Sequence, residues 1–233
     1  MAYGKGLVVR SFREHPVGCY ANAPAFPFAA MANSEIDDRI ALMESEKATL
    51  LDVRGSIPST DQGSQGYCWA HSTVSAMLLL RAKQGLPYVE LSAYGIAAPI
   101  KKFKNEGGWC QESMDWITTK GCPTSATWPI QSMSRDNVTT AMREESLLYR
   151  VTEWYDGGDD PKLFWTAVAM GFPVVSDFND WGHSVCTISA NRKNNTGLIW
   201  NSWGDQWGNK GVGVPQARSP VPNNFMVPRV STS

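Results

Sequence analysis

The chain has 233 residues, a formal net charge of −1, 42% hydrophobic residues and 18% charged residues. This length fits one globular unit or two small lobes around a cleft, and the composition is that of a folded chain. Scattered lysines and arginines exclude the basic stripe of a nucleic-acid-binding protein, and no apolar stretch approaches the ~18 residues of a membrane span.

The cysteines and the first residues bear on the cellular compartment. Five cysteines at irregular spacing are an odd number, which argues against a disulfide framework. Residues 1–10 lack the apolar segment of a secretory signal. We therefore expect a protein of a reducing compartment such as the cytoplasm. No tight Cys/His cluster predicts a metal site, and nothing in the sequence implies a cofactor.

Residues 1–50 are predicted to form an N-terminal extension. Residues 1–33 are irregular and rich in Gly, Pro and Ala, and a short helix follows. Ser34 is the expected cap of this helix, and Ile36, Ile40 and Met43 lie on one face. The extension is interpreted as a prosegment or as an arm that binds a partner.

Three further helices are predicted from their start and stop signals. They cover Cys68–Lys83, Gln111–Thr119 and a segment that begins at Pro161 after the cap Asp160. Glycines at 85, 121 and 171 mark their ends. The acidic run at 156–160 is interpreted as a loop that leads into the third of these helices.

Strands are predicted after Gly171. Short segments rich in Val, Ile and Trp cover Pro173–Phe178, His183–Ala190 and Leu198–Trp203. Helices come first and strands later, which predicts an α+β protein with segregated lobes. The expected division is a catalytic domain at 51–214, with a helical lobe at about 51–150 and a sheet lobe at about 151–214. A Pro-rich tail at 215–233 is expected to be extended or held by a partner.

Cys68 is the candidate nucleophile. A thiol reacts as its thiolate, and a helix N-terminus favours that form. Cys68 follows the glycine-containing loop 61–67 and opens a long predicted helix. Gly63 and Gly66 permit a sharp turn that leaves backbone amides free to face a substrate oxygen.

His183 is the candidate base among three histidines. His15 lies in the irregular N-terminal segment, and His71 shares the Cys68 helix, where it leaves no room for a substrate. His183 begins a strand in the other half of the chain. Asn201 lies in a strand predicted to pair with it, so Asn201 could orient the imidazole ring.

These residues stand in motifs that resemble those of the papain family of cysteine peptidases. Residues 62–72 resemble its nucleophile segment, 182–185 its histidine motif and 201–208 its asparagine motif. Asn201 follows Cys68 by 133 residues, inside the family's range of ~130–150. His183 follows it by 115, which is somewhat shorter.

The resemblance implies a two-lobed papain-like fold with an active-site cleft between a helical lobe and an antiparallel sheet or barrel lobe. It implies that Gln62 and the Cys68 amide hold the oxyanion and that Trp203 covers the His183–Asn201 hydrogen bond. Substrate-binding roles are implied for the glycine pair and three tryptophans. These residues are Gly107, Gly108, Trp109, Trp181 and Trp203.

Some features depart from the family pattern. Gln65 stands where the family usually has a second cysteine, and Gly182 precedes the histidine where a carboxylate is common. Residues 57–70 and 98–109 are also similar to short papain-like chains encoded by bacteriophages. A virion is therefore a second expected location, with virion or assembly proteins as partners of the two tails.

The combined prediction is a papain-like cysteine endopeptidase that acts on protein or peptide substrates. Two alternatives stay open at this point. One is a virion structural or accessory protein with a papain-like fold. The other is a cell-wall amidase or endopeptidase that cleaves peptidoglycan, although such enzymes generally lack the motif at 201–204.

Overall fold

The computed structural model describes residues 3–21, 23–191 and 195–232. The helices are α1 (Asn33–Ser45), α2 (Leu50–Arg54), α3 (Cys68–Lys83), α4 (Tyr94–Ile100), α5 (Cys110–Thr119), α6 (Thr140–Ser146) and α7 (Pro161–Ala169). The strands are β1 (Val151–Gly158), β2 (Val174–Phe178), β3 (His183–Asn191), β4 (Thr196–Trp200), β5 (Val212–Gly213) and β6 (Asn224–Ser231). A 3₁₀ turn spans Arg135–Asn137.

The strands form one antiparallel sheet in the order β1-β6-β2-β3-β4-β5. All helices except α7 precede the sheet in the chain, so the predicted α+β class is confirmed. Strand β3 pairs with β2 on one side and β4 on the other, and Cys186 is opposite Trp200. This pairing puts the start of β3 next to the end of β4.

The prediction of a tail beyond residue 214 is wrong, because β6 lies inside the sheet between β1 and β2. Residues Phe225 to Val227 of this strand are buried. Pro228 lacks the N–H that a central strand needs, but β2 pairs only with Asn224–Met226. The proline therefore has one strand neighbour. The sheet lobe extends well past the predicted boundary at 214.

Strand β1 was also absent from the sequence prediction. Its last residues, Asp156 to Gly158, pair with β6, so they are not the start of a loop. Asp156 is fully buried and accepts hydrogen bonds from Arg10. An acidic run with two glycines predicts a solvated loop, and only the distant cation makes a strand possible there.

The predicted helices agree with the structure within one or two residues. Asp160 caps α7 through the N–H groups of Lys162 and Leu163, as expected. Helix α1 buries Ile36 and Ile40 in a cluster with α7, but its N-cap is Ala32 and no side chain caps it. The Ser34 cap is therefore wrong, since this helix begins at Asn33 and Ser34 lies inside its first turn.

Helix α3 connects the two halves of the fold. Every residue from Cys68 to Arg81 is buried, and one hydrophobic cluster contains both α3 and residues of β2, β3, β4 and β6. Most buried polar groups are hydrogen-bonded. On α3, the Thr73 hydroxyl donates to the Ala70 carbonyl at 2.8 Å. In the part of the chain that the structure describes, no helix has the length and apolarity to cross a bilayer.

Candidate active site

Cys68 is the first residue of α3, at the positive end of the helix dipole. The loop before it is held by backbone and side-chain contacts. The Trp69 indole donates to the Gly66 carbonyl at 3.0 Å, and the Asn105 side chain accepts from the Gly66 N–H at 2.7 Å. The Tyr67 hydroxyl donates to the Lys104 carbonyl at 2.7 Å. These bonds fix where the sulfur stands.

Asn201 fixes both the orientation and the tautomer of His183. The Asn201 Oδ1 atom lies 2.8 Å from His183 Nε2 and also accepts from the Ser202 N–H at 2.8 Å. Because the backbone donor identifies this atom as oxygen, Nε2 must carry a proton. In the neutral imidazole, Nδ1 is then an acceptor. His183 Nδ1 has no hydrogen-bond partner among the described residues.

Two tryptophans cover the imidazole. The Trp203 ring stacks on His183 with centroids 4.7 Å apart, and Trp181 meets it edge-on at 4.6 Å. Each tryptophan is 5% exposed. Excluding water strengthens the hydrogen bond between His183 and Asn201, because competing donors and acceptors are removed. The Trp203 ring therefore lies against the face of the imidazole, and its covering of this bond stays a prediction.

The start of α3 meets the start of β3 through Ser184, the residue after His183. Its hydroxyl lies 2.9 Å from that of Ser72 on α3. Cys68, His183 and Asn201 are all fully buried. The hydrogen-bonded His183–Asn201 pair therefore lies where β3 contacts α3, the helix that Cys68 begins.

Burial controls the ionisation of the cysteine and histidine. It raises the pKa of Cys68 to about 12, although backbone hydrogen bonds from Ser184 and Gly6 oppose the rise. It lowers the pKa of His183 to about 4, although the bond to Asn201 opposes the fall. The helix dipole predicts a thiolate, but the cost of burying a charge outweighs it here. In this state the pair is neutral thiol and neutral imidazole.

The side chain and the backbone carbonyl of Gln62 both form hydrogen bonds. Its Oε1 accepts from the Ser202 hydroxyl at 2.6 Å, and its carbonyl accepts from the Tyr94 hydroxyl at 2.9 Å. The amide Nε2 donates to the Gln65 carbonyl at 2.8 Å and to the Gly4 carbonyl at 3.0 Å. A donor of the kind that stabilises an oxyanion is therefore occupied by a carbonyl from the N-terminal segment.

The glycine pair also faces the N-terminal segment. The Gly108 N–H donates to the Gly6 carbonyl at 2.9 Å, and the Gly108 carbonyl accepts from Val8 at 3.0 Å. A Cβ at Gly108 would lie 2.6 Å from the Trp69 ring, so only glycine fits at this position. Gly107 also leaves no space for a side chain, since an added Cβ would lie 2.5 Å from the Gly6 carbonyl oxygen. Both glycines allow another chain to lie against the backbone here.

Trp109 lies apart from the other predicted tryptophans. Its ring meets His15 edge-on at 4.8 Å, and its backbone N–H donates to Glu112 at 3.2 Å. Its indole nitrogen is buried without a partner among the described residues. The structure thus places Trp109 against the N-terminal extension, while Trp181 and Trp203 lie at His183.

His71 is buried beside Tyr94, with ring centroids 5.7 Å apart. Neither of its ring nitrogens has a hydrogen-bond partner in the described part of the chain. All five cysteines are described and unpaired; Cys19 is exposed and the other four are buried. Within the described residues, no three His, Cys, Asp or Glu side chains group as metal ligands.

Sequence reasoning missed several residues of this site. Ser202 joins Gln62 to Asn201, and Ser184 joins β3 to α3. The missed partner of the cleft is the segment near Gly4 and Gly6. Two glycines in alternate positions are a sequence signal for close backbone approach, but nothing local indicates what they approach.

Comparisons with known proteins were made for sequence and for structure. No family model matches the chain. A curated relative, Cathepsin B-like CP3 of Giardia intestinalis, is 28% identical over 183 residues and covers 65% of this chain. The match spans 61% of that relative's length.

The solved structures with similar folds are cysteine peptidases. Xylellain, a cysteine protease from Xylella fastidiosa, has a TM-score of 0.69 at 17% identity, over 98% of this chain and 96% of that one. The proCathepsin B S9 from Trypanosoma congolense has a TM-score of 0.66 at 14% identity, over 99% and 87%. Digestive procathepsin L 3 of Tenebrio molitor has a TM-score of 0.60 at 19% identity, over 74% and 66%.

The predicted papain-like fold is therefore confirmed. The predicted resemblance to chains encoded by bacteriophages stays a prediction.

Proposed function

We propose that this chain is a cysteine endopeptidase that hydrolyses peptide bonds through a Cys68 acyl-enzyme. The observation that carries the proposal is the 2.8 Å contact between His183 Nε2 and Asn201 Oδ1, which leaves Nδ1 as a proton acceptor beside α3. The papain-like fold and the cathepsin B-like relative support the same reaction class. Protein or peptide chains are the proposed substrates.

The first half of the reaction forms the acyl-enzyme. The Cys68 thiol transfers its proton to His183 Nδ1, and the sulfur attacks the carbonyl carbon of the substrate. The negative charge that develops on the carbonyl oxygen is stabilised by Gln62 Nε2 and the Cys68 N–H. The carbon–nitrogen bond then breaks, and the Nδ1 proton passes to the leaving amine.

The second half releases the acid product. His183 Nδ1 takes a proton from water, the resulting hydroxide attacks the thioester carbonyl, and the sulfur leaves. The thiolate recovers the proton from the imidazolium. Asn201 holds the ring through Nε2 during both halves, so the same nitrogen exchanges the proton each time.

A peptide-cleavage assay tests this proposal. Full-length protein is incubated with a mixture of fluorogenic peptides, beside Cys68→Ser, His183→Ala and the control Cys122→Ser. Cys122 is a buried cysteine that contacts backbone carbonyls of Ser92 and Pro123 in the helical lobe. We expect the first two variants to lose at least about 10³-fold in kcat/KM and the control to keep wild-type activity. Cleavage that persists in Cys68→Ser would contradict the proposal.

A further inference from the structure

A cavity of about 170 Å³ lies against α3 and is separate from the candidate active site. Cys68, His183 and Asn201 are not among the residues that line it. Its inner wall is buried and largely apolar, and it includes Leu78, Leu91, Ala93 and Tyr94. An engineered cavity of about 150 Å³ in another protein holds benzene, so this cavity has room for one aromatic ring.

His71 is the polar side chain of this buried wall. The residue is 3% exposed, and its two ring nitrogens have no hydrogen-bond partner in the part of the chain that the structure describes. Burial lowers the pKa of His71 to about 3, so at pH 7 the ring is neutral and has one N–H donor and one acceptor nitrogen. Leaving buried polar atoms unpaired costs free energy. A hydroxyl group of a ligand matches this ring, because a hydroxyl both donates and accepts.

The outer part of the cavity is acidic. Asp61 and Glu90 line it and are exposed, and of the described residues that line it, none is Lys or Arg. Tyr88 also lines it, and burial together with the negative charges of Glu90 and Asp205 raises the pKa of Tyr88. Arg54, which pairs with Asp205 at 3.4 Å, does not line the cavity. Carboxylates and the face of an aromatic ring both attract an organic cation.

The wall of the cavity is connected to Gln62. The Tyr94 hydroxyl donates to the Gln62 carbonyl at 2.9 Å, and the Tyr94 ring meets His71 edge-on at 5.7 Å. Asp61 directly precedes Gln62, and its Oδ1 accepts from the Gly63 N–H at 2.8 Å. A molecule in the cavity would therefore contact both a residue that holds Gln62 and the residue before it.

We propose that this cavity, called the α3 site below, binds a small amphipathic amine and acts as an effector site for Gln62. The ammonium group of the ligand lies at the Asp61 and Glu90 carboxylates, and a hydroxyl at its other end bonds to His71. An apolar body between these groups packs on Leu91. The effector role rests on the proposed function, in which Gln62 is the oxyanion donor, whereas the binding itself does not.

The test uses full-length proteins and three probes of similar size. The proteins are the parent, His71→Leu, Glu90→Gln and the control Glu144→Gln, an exposed residue of α6 that does not line the cavity. Tyramine has both an ammonium group and a hydroxyl, 2-phenylethylamine lacks the hydroxyl, and 4-ethylphenol lacks the ammonium group. Dissociation constants are measured at pH 7 by NMR titration of the backbone amide signals.

We expect the parent to bind tyramine at least about fivefold more tightly than either other probe, because each of those lacks one polar contact. In His71→Leu, tyramine and 2-phenylethylamine should bind equally well. In Glu90→Gln, the advantage of tyramine over 4-ethylphenol should fall, since one carboxylate is replaced by a neutral amide. The control should match the parent with all three probes.

Two results would overturn the α3 site. One is the absence of saturable binding of any probe to the parent, which would mean that the cavity takes only water. The other is a hydroxyl advantage that persists in His71→Leu, which would place the probe elsewhere. Because the three probes are compared on the parent first, a variant that fails to fold does not remove the test.

The link to Gln62 is read from the same titration. The side-chain amide signal of Gln62 is identified by its loss in Gln62→Ala, and saturating tyramine should shift it more than that of Gln84, at the far end of α3. Equal shifts would overturn the effector role. Peptide cleavage by the parent is measured separately. Its absence, together with the expected binding, would contradict the peptidase and support the α3 site.

Discussion

At the scale of single residues, Ser202 has two functions in this site. Its backbone N–H determines which atom of Asn201 faces His183, and its hydroxyl holds Gln62 Oε1 at 2.6 Å. Gln62 Nε2 is thereby turned toward the cleft, where it binds the Gly4 carbonyl. One serine thus positions both the base and the proposed oxyanion donor. We regard it as a positioning residue because it reaches the reaction only through these two neighbours.

Removing the Ser202 hydroxyl should lower turnover only through Gln62. We expect Gln62→Ala to reduce kcat by about 10²-fold and Ser202→Ala by a few fold, with KM unchanged. In the double variant, Ser202→Ala should add nothing further. All four proteins are measured with the same fluorogenic peptides. Additive losses would show that Ser202 does not act through Gln62.

At the scale of elements, α3 contains a histidine without hydrogen-bond partners in the described part of the fold. Burial lowers the pKa of His71 to about 3, and it lowers the pKa of His183 to about 4. A depressed histidine pKa means that the unfolded chain binds more protons below its ordinary value of about 6.5. The contribution of each histidine to the free energy of unfolding is therefore fully present above pH 6.5 and is lost progressively as the pH falls.

Replacing His71 with Phe should remove about half of this acid sensitivity. Each histidine contributes a loss of about 2 kcal/mol between pH 6.5 and pH 5, so the variant should lose about 2 kcal/mol less than wild type. His71 lines a cavity of about 170 Å³ with Leu78 and Leu91, which leaves room for the larger ring. Urea unfolding at both pH values measures the difference. Equal losses of unfolding free energy in wild type and in His71→Phe would contradict this prediction.

At the scale of the whole molecule, the N-terminal extension is part of the fold. The Arg10–Asp156 pair links residues 146 apart in the chain, and Phe26 donates to the Asp156 carbonyl at 3.1 Å. Helix α1 then packs on α7. The extension therefore runs from the candidate cleft to the far side of the sheet lobe, and its loss would expose apolar surface at several places.

Arg10→Ala should destabilise the protein strongly, because it leaves the buried Asp156 carboxylate without its cation. We expect a loss of about 3–5 kcal/mol. Arg229→Ala is the matched control. Arg229 pairs with Glu153, which lies on β1 like Asp156, but the Arg229 and Glu153 side chains are partly exposed, at 46% and 38%. That change should cost less than about 1 kcal/mol. Equal losses in guanidinium unfolding would show that the Arg10 pair is no anchor.

Whether a feature could be predicted from the sequence depends on how far apart in the chain its interacting residues lie. The start and end of α3 and the cap of α7 are local, so residue patterns indicated them correctly. Strand β6 could not be predicted, because its place between β1 and β2 depends on pairing with residues about 50–80 positions earlier. The partners of Gly4 and Gly6 were hidden for the same reason, since nothing near residue 6 indicates Gly66 or Gly108.

The electrostatic expectation for Cys68 also failed for a physical reason. Its position at a helix N-terminus was visible in the sequence, and this position favours the thiolate. Whether the sulfur would be covered was not visible, and burial raises its pKa to about 12. Exposure is a property of the assembled fold, in which Gly4 and Gly6 contact Gln62 and Gly108.

The most direct test of the central claim is the site of labelling by a thiol-directed epoxide peptide. Protein carrying Cys19→Ser, which removes the exposed thiol, is treated with the probe, and the modified residue is located by mass spectrometry, beside the same protein with Cys68→Ala or His183→Ala. We predict one label on Cys68, its absence in Cys68→Ala and at least about 10²-fold slower labelling in His183→Ala. Equal labelling of all three proteins would contradict the claim that His183 activates Cys68.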